Sequence, residues 1–186
     1  MPKAAAPERT IAYRNIQDRR AQREVTCGPG GVLHDYVPFY FGERSPMLHA
    51  NHKAYVASNP EGQRPLIYLV SSVLAVVKAG LGWVFTTGHA DMQPLSGFYD
   101  SIEDLPLVDW KVVHARERND TPQNPDRKRR KQAEFLVYRF FPWNLVEQVV
   151  VLGEAVKAES ESVLRDSQVN PTGYAPPAQM NPAWYY

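Results

Sequence analysis

Proline is the feature of this sequence that most restricts its fold. The chain has 16 prolines among 186 residues, whereas proline makes up about 5% of an average protein. Because proline lacks a backbone N–H and holds φ at about −65°, it interrupts helices and the interior of sheets. The sequence therefore predicts many short elements joined by fixed turns, and it excludes a bundle of long helices.

Short apolar runs alternate irregularly with short helical patterns along the chain. This irregular order favours an α+β fold over a doubly wound parallel sheet. Ser71 or Ser72 can cap a helix that Gly80 ends. Hydrophobic and helix-capping patterns predict helices over 73–79 and 154–164, and strands over 65–70, 83–86, 134–139 and 148–152.

Composition excludes several classes of protein. At 44% hydrophobic and 22% charged residues, the chain can bury a core, so a wholly disordered protein is not expected. The sequence has no apolar run long enough for a membrane span, and its beginning does not resemble a signal peptide, so we expect a cytoplasmic protein without a membrane partner. A lone cysteine, Cys27, and a histidine pair, His49 and His52, give no expectation of a metal site.

The net charge of +1 conceals two basic segments. Residues 14–23 contain four arginines and one acid, and residues 114–131 contain seven basic residues and three acids. Such clusters can form a cationic face that attracts an anionic partner on a nearly neutral protein. An ordinary solvated loop is the alternative interpretation of the 127–131 run.

Three places concentrate reactive side chains. Adjacent Arg19 and Arg20 cannot share one face of a helix or strand, so one of them can turn inward towards an anion. The aromatic stretch 33–41, followed by 44–47, could stack on rings, although core packing is the alternative for its phenylalanines. Glu134 opens an apolar strand after a basic loop and could reach a substrate hydroxyl, but spacing alone favours an acid that faces water.

Together these segments resemble the DarT family, the toxin half of DarTG toxin–antitoxin systems. The similarity runs in order through most of the chain, and its longest block is the most specific. The matching strings are IAY (11–13), IQDRR (16–20), GGVLHDYVPFYF (30–41), RSPML (44–48), LVSS (69–72), VFT (84–86) with His89, KQAEFLVY (131–138), FPW (141–143) and WYY (184–186).

The resemblance implies a fold and an activity. The fold would be an ADP-ribosyltransferase-like split β-sandwich with short flanking helices, with NAD+ in a cleft between two small sheets. The activity would be transfer of ADP-ribose from NAD+, as co-substrate and without a metal, to thymine bases in single-stranded DNA, which releases nicotinamide. A DarG-like macrodomain antitoxin would be a partner. Guanine, protein or a small molecule as the acceptor is a further alternative.

The resemblance also implies roles for individual residues. Glu134, Arg20 and His89 match catalytic positions, and either Glu134 or His89 could accept the proton of the thymine base. Arg20, Tyr40 and Met47 match positions that bind NAD+. The residues expected to contact DNA are Arg44, His89, Arg127, Lys128, Arg129 and Arg130.

Family members begin with a further segment that carries a His-x-Thr element of the NAD+ site. Residues 1–10 resemble a linker, so we expect a single DarT-like domain over 11–186 from which the N-terminal part of the NAD+ site is missing. Either the sequence is a piece of a longer reading frame, or it is a noncatalytic remnant that binds single-stranded DNA or the antitoxin.

Overall fold

Short helices and strands fill the computed structural model, which describes residues 11, 13–92, 95–166 and 168–186. The linker-like residues 1–10 and Ala12 of the first matching string lie outside the described residues. The helices are α1 Arg14–Arg20, α2 Pro46–His52, α3 Val73–Lys78, α4 Trp110–His114, α5 Arg127–Arg130 and α6 Glu154–Arg165. Four 3₁₀ turns are described, at Leu33–Asp35, Ile102–Leu107, Trp143–Leu145 and Pro182–Trp184.

The described strands form two small sheets, which confirms the predicted α+β class. One sheet has four antiparallel strands in the order β1-β5-β3-β4. The other has three strands in the order β2-β6-β7, in which β2 is antiparallel and β7 parallel to β6. The strands are β1 Tyr36–Tyr40, β2 Tyr68–Val70, β3 Trp83–Thr86, β4 Phe98–Tyr99, β5 Glu134–Tyr138, β6 Gln148–Val151 and β7 Ala178–Met180.

Strand β5 is buried on both faces, which explains its continuous apolar sequence. Phe135 and Val137 face a core that contains Phe85 and Val76, whereas Leu136 faces a second core with Leu33. Neighbouring side chains of a strand point to opposite faces, so a doubly covered strand needs apolar residues at consecutive positions. Glu134 begins this strand and is the exception to that pattern.

Strand β1 lies at the edge of the four-stranded sheet and carries Pro38. Proline is tolerated there because an edge strand leaves some N–H groups unpaired. The antiparallel register places Tyr40 opposite Glu134, so the two side chains lie on the same face of the sheet. In the aromatic stretch 33–41, Phe39 packs on Phe141 at 4.7 Å between ring centroids, as the core-packing alternative predicts for that residue.

Helix α2 begins at Pro46 after Ser45, whose side chain accepts a hydrogen bond from the Leu48 N–H at 3.1 Å. A serine N-cap followed by proline at the first helical position is a favourable helix start. Helix α2 brings Met47 and His49 towards the same end of the four-stranded sheet as Glu134. Within the described ranges, no helix is long and apolar enough to cross a membrane.

Candidate active site

A cavity of about 520 Å³ lies where β5 begins. Its walls come from β1, the start of β5, helices α1 and α2, and the loops after β3 and α4. Among the described residues, none of β2, β6 or β7 lines it, so it is a cavity on the four-stranded sheet, and the expected NAD+ cleft between the two sheets stays a prediction. Six residues singled out in the sequence line this cavity: Arg20, Tyr40, Met47, His89, Lys128 and Glu134.

The carboxylate of Glu134 is buried, with its side chain only 4% exposed. Its Oε2 accepts a hydrogen bond from Arg20 Nη1 at 2.9 Å, and its Oε1 accepts from the same nitrogen at 3.2 Å and from the Ala90 N–H at 3.1 Å. The expectation from spacing, an acid that faces water, is therefore wrong. A buried carboxylate requires such charged and polar partners because burial without them is costly.

The adjacent arginines of α1 turn in different directions, as the sequence predicts. Arg20 is buried against Glu134, whereas the side chain of Arg19 is 54% exposed and pairs with Asp91 at 2.5 Å. Arg20 ties the end of α1 to the start of β5, and Arg19 ties it to the loop that follows β3. The two arginines thus fix the helix against this wall of the cavity.

One nitrogen of the Arg20 guanidinium, the buried Nη2, has no hydrogen-bond partner within the part of the chain that the structure describes. Leaving a buried donor unpaired costs roughly 1–3 kcal/mol, and an anion in the cavity would remove this cost. Arg20 lines the cavity, so an anionic ligand there is a suitable partner for this guanidinium.

His89 follows β3 and is 8% exposed. Its Nδ1 accepts a hydrogen bond from the Asp91 N–H at 3.2 Å, which assigns the proton of the neutral ring to Nε2. Burial lowers the pKa of His89, while the charge of Glu134 opposes that effect. The ring is therefore neutral at pH 7 and presents Nε2–H as a donor.

Tyr40 and Met47 line the cavity from β1 and α2. Burial raises the pKa of Tyr40, and the nearby charge of Glu134 raises it further. Its hydroxyl therefore stays protonated at neutral pH and can donate a hydrogen bond. Met47 offers a flexible apolar side chain, which suits contact with a flat ring.

Arg44 does not line the cavity. Its Nε donates to the Tyr185 carbonyl at 3.0 Å, and its backbone N–H donates to the Tyr68 hydroxyl at 3.3 Å. Its backbone is left-handed, with φ of +55°, which is uncommon for a residue other than glycine. Arg44 thus has a structural use that the sequence did not predict, and its contact with DNA stays a prediction.

The basic run 127–130 forms helix α5 and divides into two pairs of residues. Arg129 pairs with Asp126 at 2.6 Å, and Arg130 pairs with Asp109 and Asp126. These two guanidinium groups hold neighbouring segments together. Within the described part of the chain, the side chains of Arg127 and Lys128 form no ion pair, so they suit DNA phosphates better.

Several cavity residues were not predicted as site residues. His49 and Arg118 line the cavity, and Arg118 Nη2 lies 2.6 Å from His49 Nε2. The only sequence signal for Arg118 is its place in the basic segment 114–131. Among the described residues, no group of three side chains could hold a metal ion.

Two small sheets and a buried arginine–glutamate pair in a cavity agree with the class that the sequence resemblance implies, the NAD-dependent ADP-ribosyltransferases. Comparison with known proteins identifies the family within this class. The model of the family described as "ssDNA thymidine ADP-ribosyltransferase, DarT" matches residues 2–186. The chain belongs to the DarT family.

Individual relatives agree with this assignment. A DNA ADP-ribosyl transferase of Thermus sp. (strain 2.9) is 42% identical over 179 residues, which cover 96% of this chain and 82% of the relative. The structure of Thermus sp. 2.9 DarT in complex with ADP-ribosylated ssDNA has a TM-score of 0.89 at 42% identity and covers 96% of this chain and 82% of that one. The same protein in complex with NAD+ has a TM-score of 0.86 at 38% identity, covering 98% and 84%.

Proposed function

We propose that this protein transfers ADP-ribose from NAD+ to thymine bases in single-stranded DNA and releases nicotinamide. The observation that carries the proposal is the buried Arg20–Glu134 pair, which faces a cavity of about 520 Å³ with an unpaired guanidinium nitrogen. The relatives that bind NAD+ and ADP-ribosylated DNA share this fold over nearly the whole chain.

The cavity suits NAD+ in charge and in shape. Arg20 Nη2 can donate to a phosphate or to another anionic oxygen. Met47 and Tyr40 line the same cavity and offer surface that can contact a ring. When bound, NAD+ supplies the ADP-ribosyl group: the bond between ribose C1′ and nicotinamide breaks with its electron pair on nicotinamide, thymine N3 bonds to C1′, and the N3 proton is released.

Glu134 supplies the negative charge that this step needs. Positive charge develops on the ribose as the bond to nicotinamide breaks, and a fixed carboxylate stabilises it. Oε1 accepts from Arg20 and Ala90, whereas Oε2 accepts only from Arg20 within the described part of the chain and has a further lone pair. Oε2 can therefore accept a ribose hydroxyl proton in a hydrogen bond, or the N3 proton of the base.

His89 is better suited to donate than to accept a proton. Its Nδ1 already accepts the Asp91 N–H, so Nε2 carries the proton of the neutral ring. We infer that Nε2–H donates to a thymine carbonyl oxygen, which gains negative charge when N3 loses its proton. Of the two candidate bases, the geometry favours Glu134.

Lys128 and Arg127 would hold the DNA backbone beside the cavity. Lys128 lines the cavity and is exposed, and neither side chain forms an ion pair within the described ranges. A thymine paired in a duplex cannot reach a cavity of this kind, which accounts for a single-stranded substrate. Binding through phosphates should weaken as salt rises.

The proposed function is tested by mass spectrometry of an oligonucleotide incubated with the protein and NAD+. We expect a gain of one ADP-ribose on a single strand that contains thymine, and no gain on the same strand with thymine replaced by cytosine. A duplex of the thymine strand is the second control. Modification of guanine or of protein in the same assay would contradict the proposed acceptor, and binding without any mass gain would contradict transferase activity.

Acid is expected to destabilise the protein through His89. The unfolded histidine titrates at a pKa of about 6.5, and burial lowers the pKa of the folded residue. Between these values the unfolded state binds more protons, so the free energy of unfolding falls as the pH is lowered below about 6.5. Urea unfolding at several pH values should show this loss for the wild type and a smaller loss for His89→Gln.

His49 also has a pKa lowered by burial, so the comparison with His89→Gln isolates the contribution of His89. The variant keeps hydrogen-bonding capacity but does not titrate in this range. Equal pH dependence of the free energy of unfolding in both proteins would show that the folded pKa of His89 is unshifted.

We further propose that the protein acts in the cytoplasm and is countered by a DarG-like macrodomain antitoxin. This partner follows from the similarity to DarT toxins. Co-expression of such a macrodomain should restore growth to cells that produce the active protein, and the purified macrodomain should release ADP-ribose from the modified oligonucleotide. A macrodomain variant without hydrolase activity is the control.

A further inference from the structure

The cavity contains a second guanidinium group, Arg118, which the chemistry above does not use. Arg118 is half-buried and lines the cavity. Glu134 offsets the charge of Arg20, but among the described residues Arg118 forms no ion pair. This wall of the cavity therefore carries uncompensated positive charge.

Arg118 is held in place by two rings. Its Nη2 donates to His49 Nε2 at 2.6 Å, and since arginine only donates, His49 must be neutral there with its proton on Nδ1. The guanidinium carbon lies 4.9 Å from the centre of the Tyr186 ring, a favourable cation–π distance. These contacts occupy Nη2 and one face of the guanidinium, and the side chain also hydrogen-bonds the Tyr186 hydroxyl. A guanidinium has five N–H donors, so it keeps donor capacity for a ligand in the cavity that it lines.

Tyr186 is itself fixed. Its backbone N–H donates to Gln63 Oε1 at 3.1 Å, and Gln63 Nε2 donates back to the main-chain oxygen of Tyr186. Its hydroxyl donates to the Arg44 carbonyl. Its ring also contacts His49 edge-on at 5.1 Å between centroids. The ring is thus a rigid support beneath Arg118.

We propose that Arg118, positioned by His49 and Tyr186, binds a phosphate group of the substrate. This inference rests on the proposed function, which places phosphate-bearing ligands in this cavity. A planar guanidinium matches phosphate oxygens. Its contacts with His49 and Tyr186 hold the side chain in place before the ligand binds, which lowers the entropy cost of binding. Asn119 and Lys128 line the same cavity and add a polar group and a second cation.

Two phosphates have the required chemistry: the diphosphate of NAD+ and a backbone phosphate of single-stranded DNA.

Arg118→Gln removes the charge and retains an amide donor. Affinities for NAD+ and for a thymine oligonucleotide are measured separately in a Glu134→Gln background, where catalysis does not consume the ligands. Arg116→Gln is the matched control, because Arg116 is exposed and does not line the cavity.

We expect Arg118→Gln to weaken one of the two ligands by about tenfold or more, as for a hydrogen bond to a charged group. If the phosphate belongs to DNA, the slope of log affinity against log salt should fall by about 0.7. If it belongs to NAD+, the loss appears in the NAD+ affinity alone. Affinities that match those of Arg116→Gln for both ligands would overturn the proposal.

The positioning role of Tyr186 needs its own variants. Tyr186→Leu should weaken the same ligand as Arg118→Gln, whereas Tyr186→Phe keeps the ring, loses only the hydroxyl contacts and should weaken it less. The double variant Arg118→Gln/Tyr186→Leu should bind no more weakly than Arg118→Gln alone, since both changes remove one interaction. Additive losses in the double variant would show that Tyr186 does not act through Arg118.

Failure of this inference is distinguishable from failure of the proposed function. If the unsubstituted protein modifies thymine but Arg118→Gln binds both ligands normally, only the phosphate site is wrong. If the unsubstituted protein gives no mass gain with any oligonucleotide, the proposed function is wrong, and the affinities still report whether Arg118 binds phosphate.

Discussion

Glu134→Gln is expected to lower the rate of ADP-ribose transfer by roughly 10³-fold or more, because it removes both a fixed negative charge and a proton acceptor. The amide has nearly the same shape as the carboxylate and can still accept a hydrogen bond from Arg20. NAD+ affinity should therefore change much less than the rate. Single-turnover measurement of the modified oligonucleotide, together with NAD+ binding, separates these quantities.

The control for this substitution is Glu154→Gln. Glu154 begins α6, is exposed and does not line the cavity. The same chemical change there should leave the rate within twofold, or about 0.4 kcal/mol, of the wild type. A Glu134→Gln protein that modified DNA at a near wild-type rate would contradict the assignment of Glu134 as the group that contacts the reacting atoms.

Local pattern predicted the orientation of the arginines but not the partner of Arg20. Adjacent residues on a helix face different directions, and Arg20 is buried while Arg19 is exposed. The contact with Glu134 joins residues 114 positions apart in sequence, and no spacing rule reaches that far. Spacing even favoured an exposed Glu134, because it does not show that α1 covers the start of β5.

Sequence pattern also predicted secondary structure only where an element has a clear local signal. Buried strands β3, β5 and β6 were predicted within a residue or two, since their apolar runs are unambiguous. Helix α2 was missed although Ser45 and Pro46 form a favourable helix start. Strand β7 was also missed, because its pairing with β6 depends on contacts rather than on an apolar pattern.

A count of charges does not show which cations of the basic run 127–130 are already paired within the fold. The four cations of this run are equivalent in the sequence, but Arg129 and Arg130 find carboxylates of Asp126 and Asp109. Only contacts in the folded chain separate a structural cation from one available to a ligand. Arg118 is the converse case, since its partners His49 and Tyr186 lie far from it in sequence.

Arg20→Met is expected to destabilise the fold by about 3–5 kcal/mol, because it leaves the buried carboxylate of Glu134 without a compensating charge. The side chains of this pair are 9% and 4% exposed, so solvent screening offers little relief. Urea unfolding measures the loss. Arg14→Met is the matched control on the same helix, where the arginine is exposed, and it should change the free energy of unfolding by about 0.5 kcal/mol or less.

The double variant Arg20→Met/Glu134→Leu separates folding from catalysis. Replacing both members of a buried ion pair by apolar side chains is often neutral or stabilising, so we expect it to recover most of the stability that Arg20→Met loses. It should remain inactive, since the carboxylate that contacts the reacting atoms is gone. If the double variant were no more stable than Arg20→Met, the loss would come from packing of the long arginine side chain. In that case the pair would stabilise the fold through shape, and its charges would serve the reaction alone.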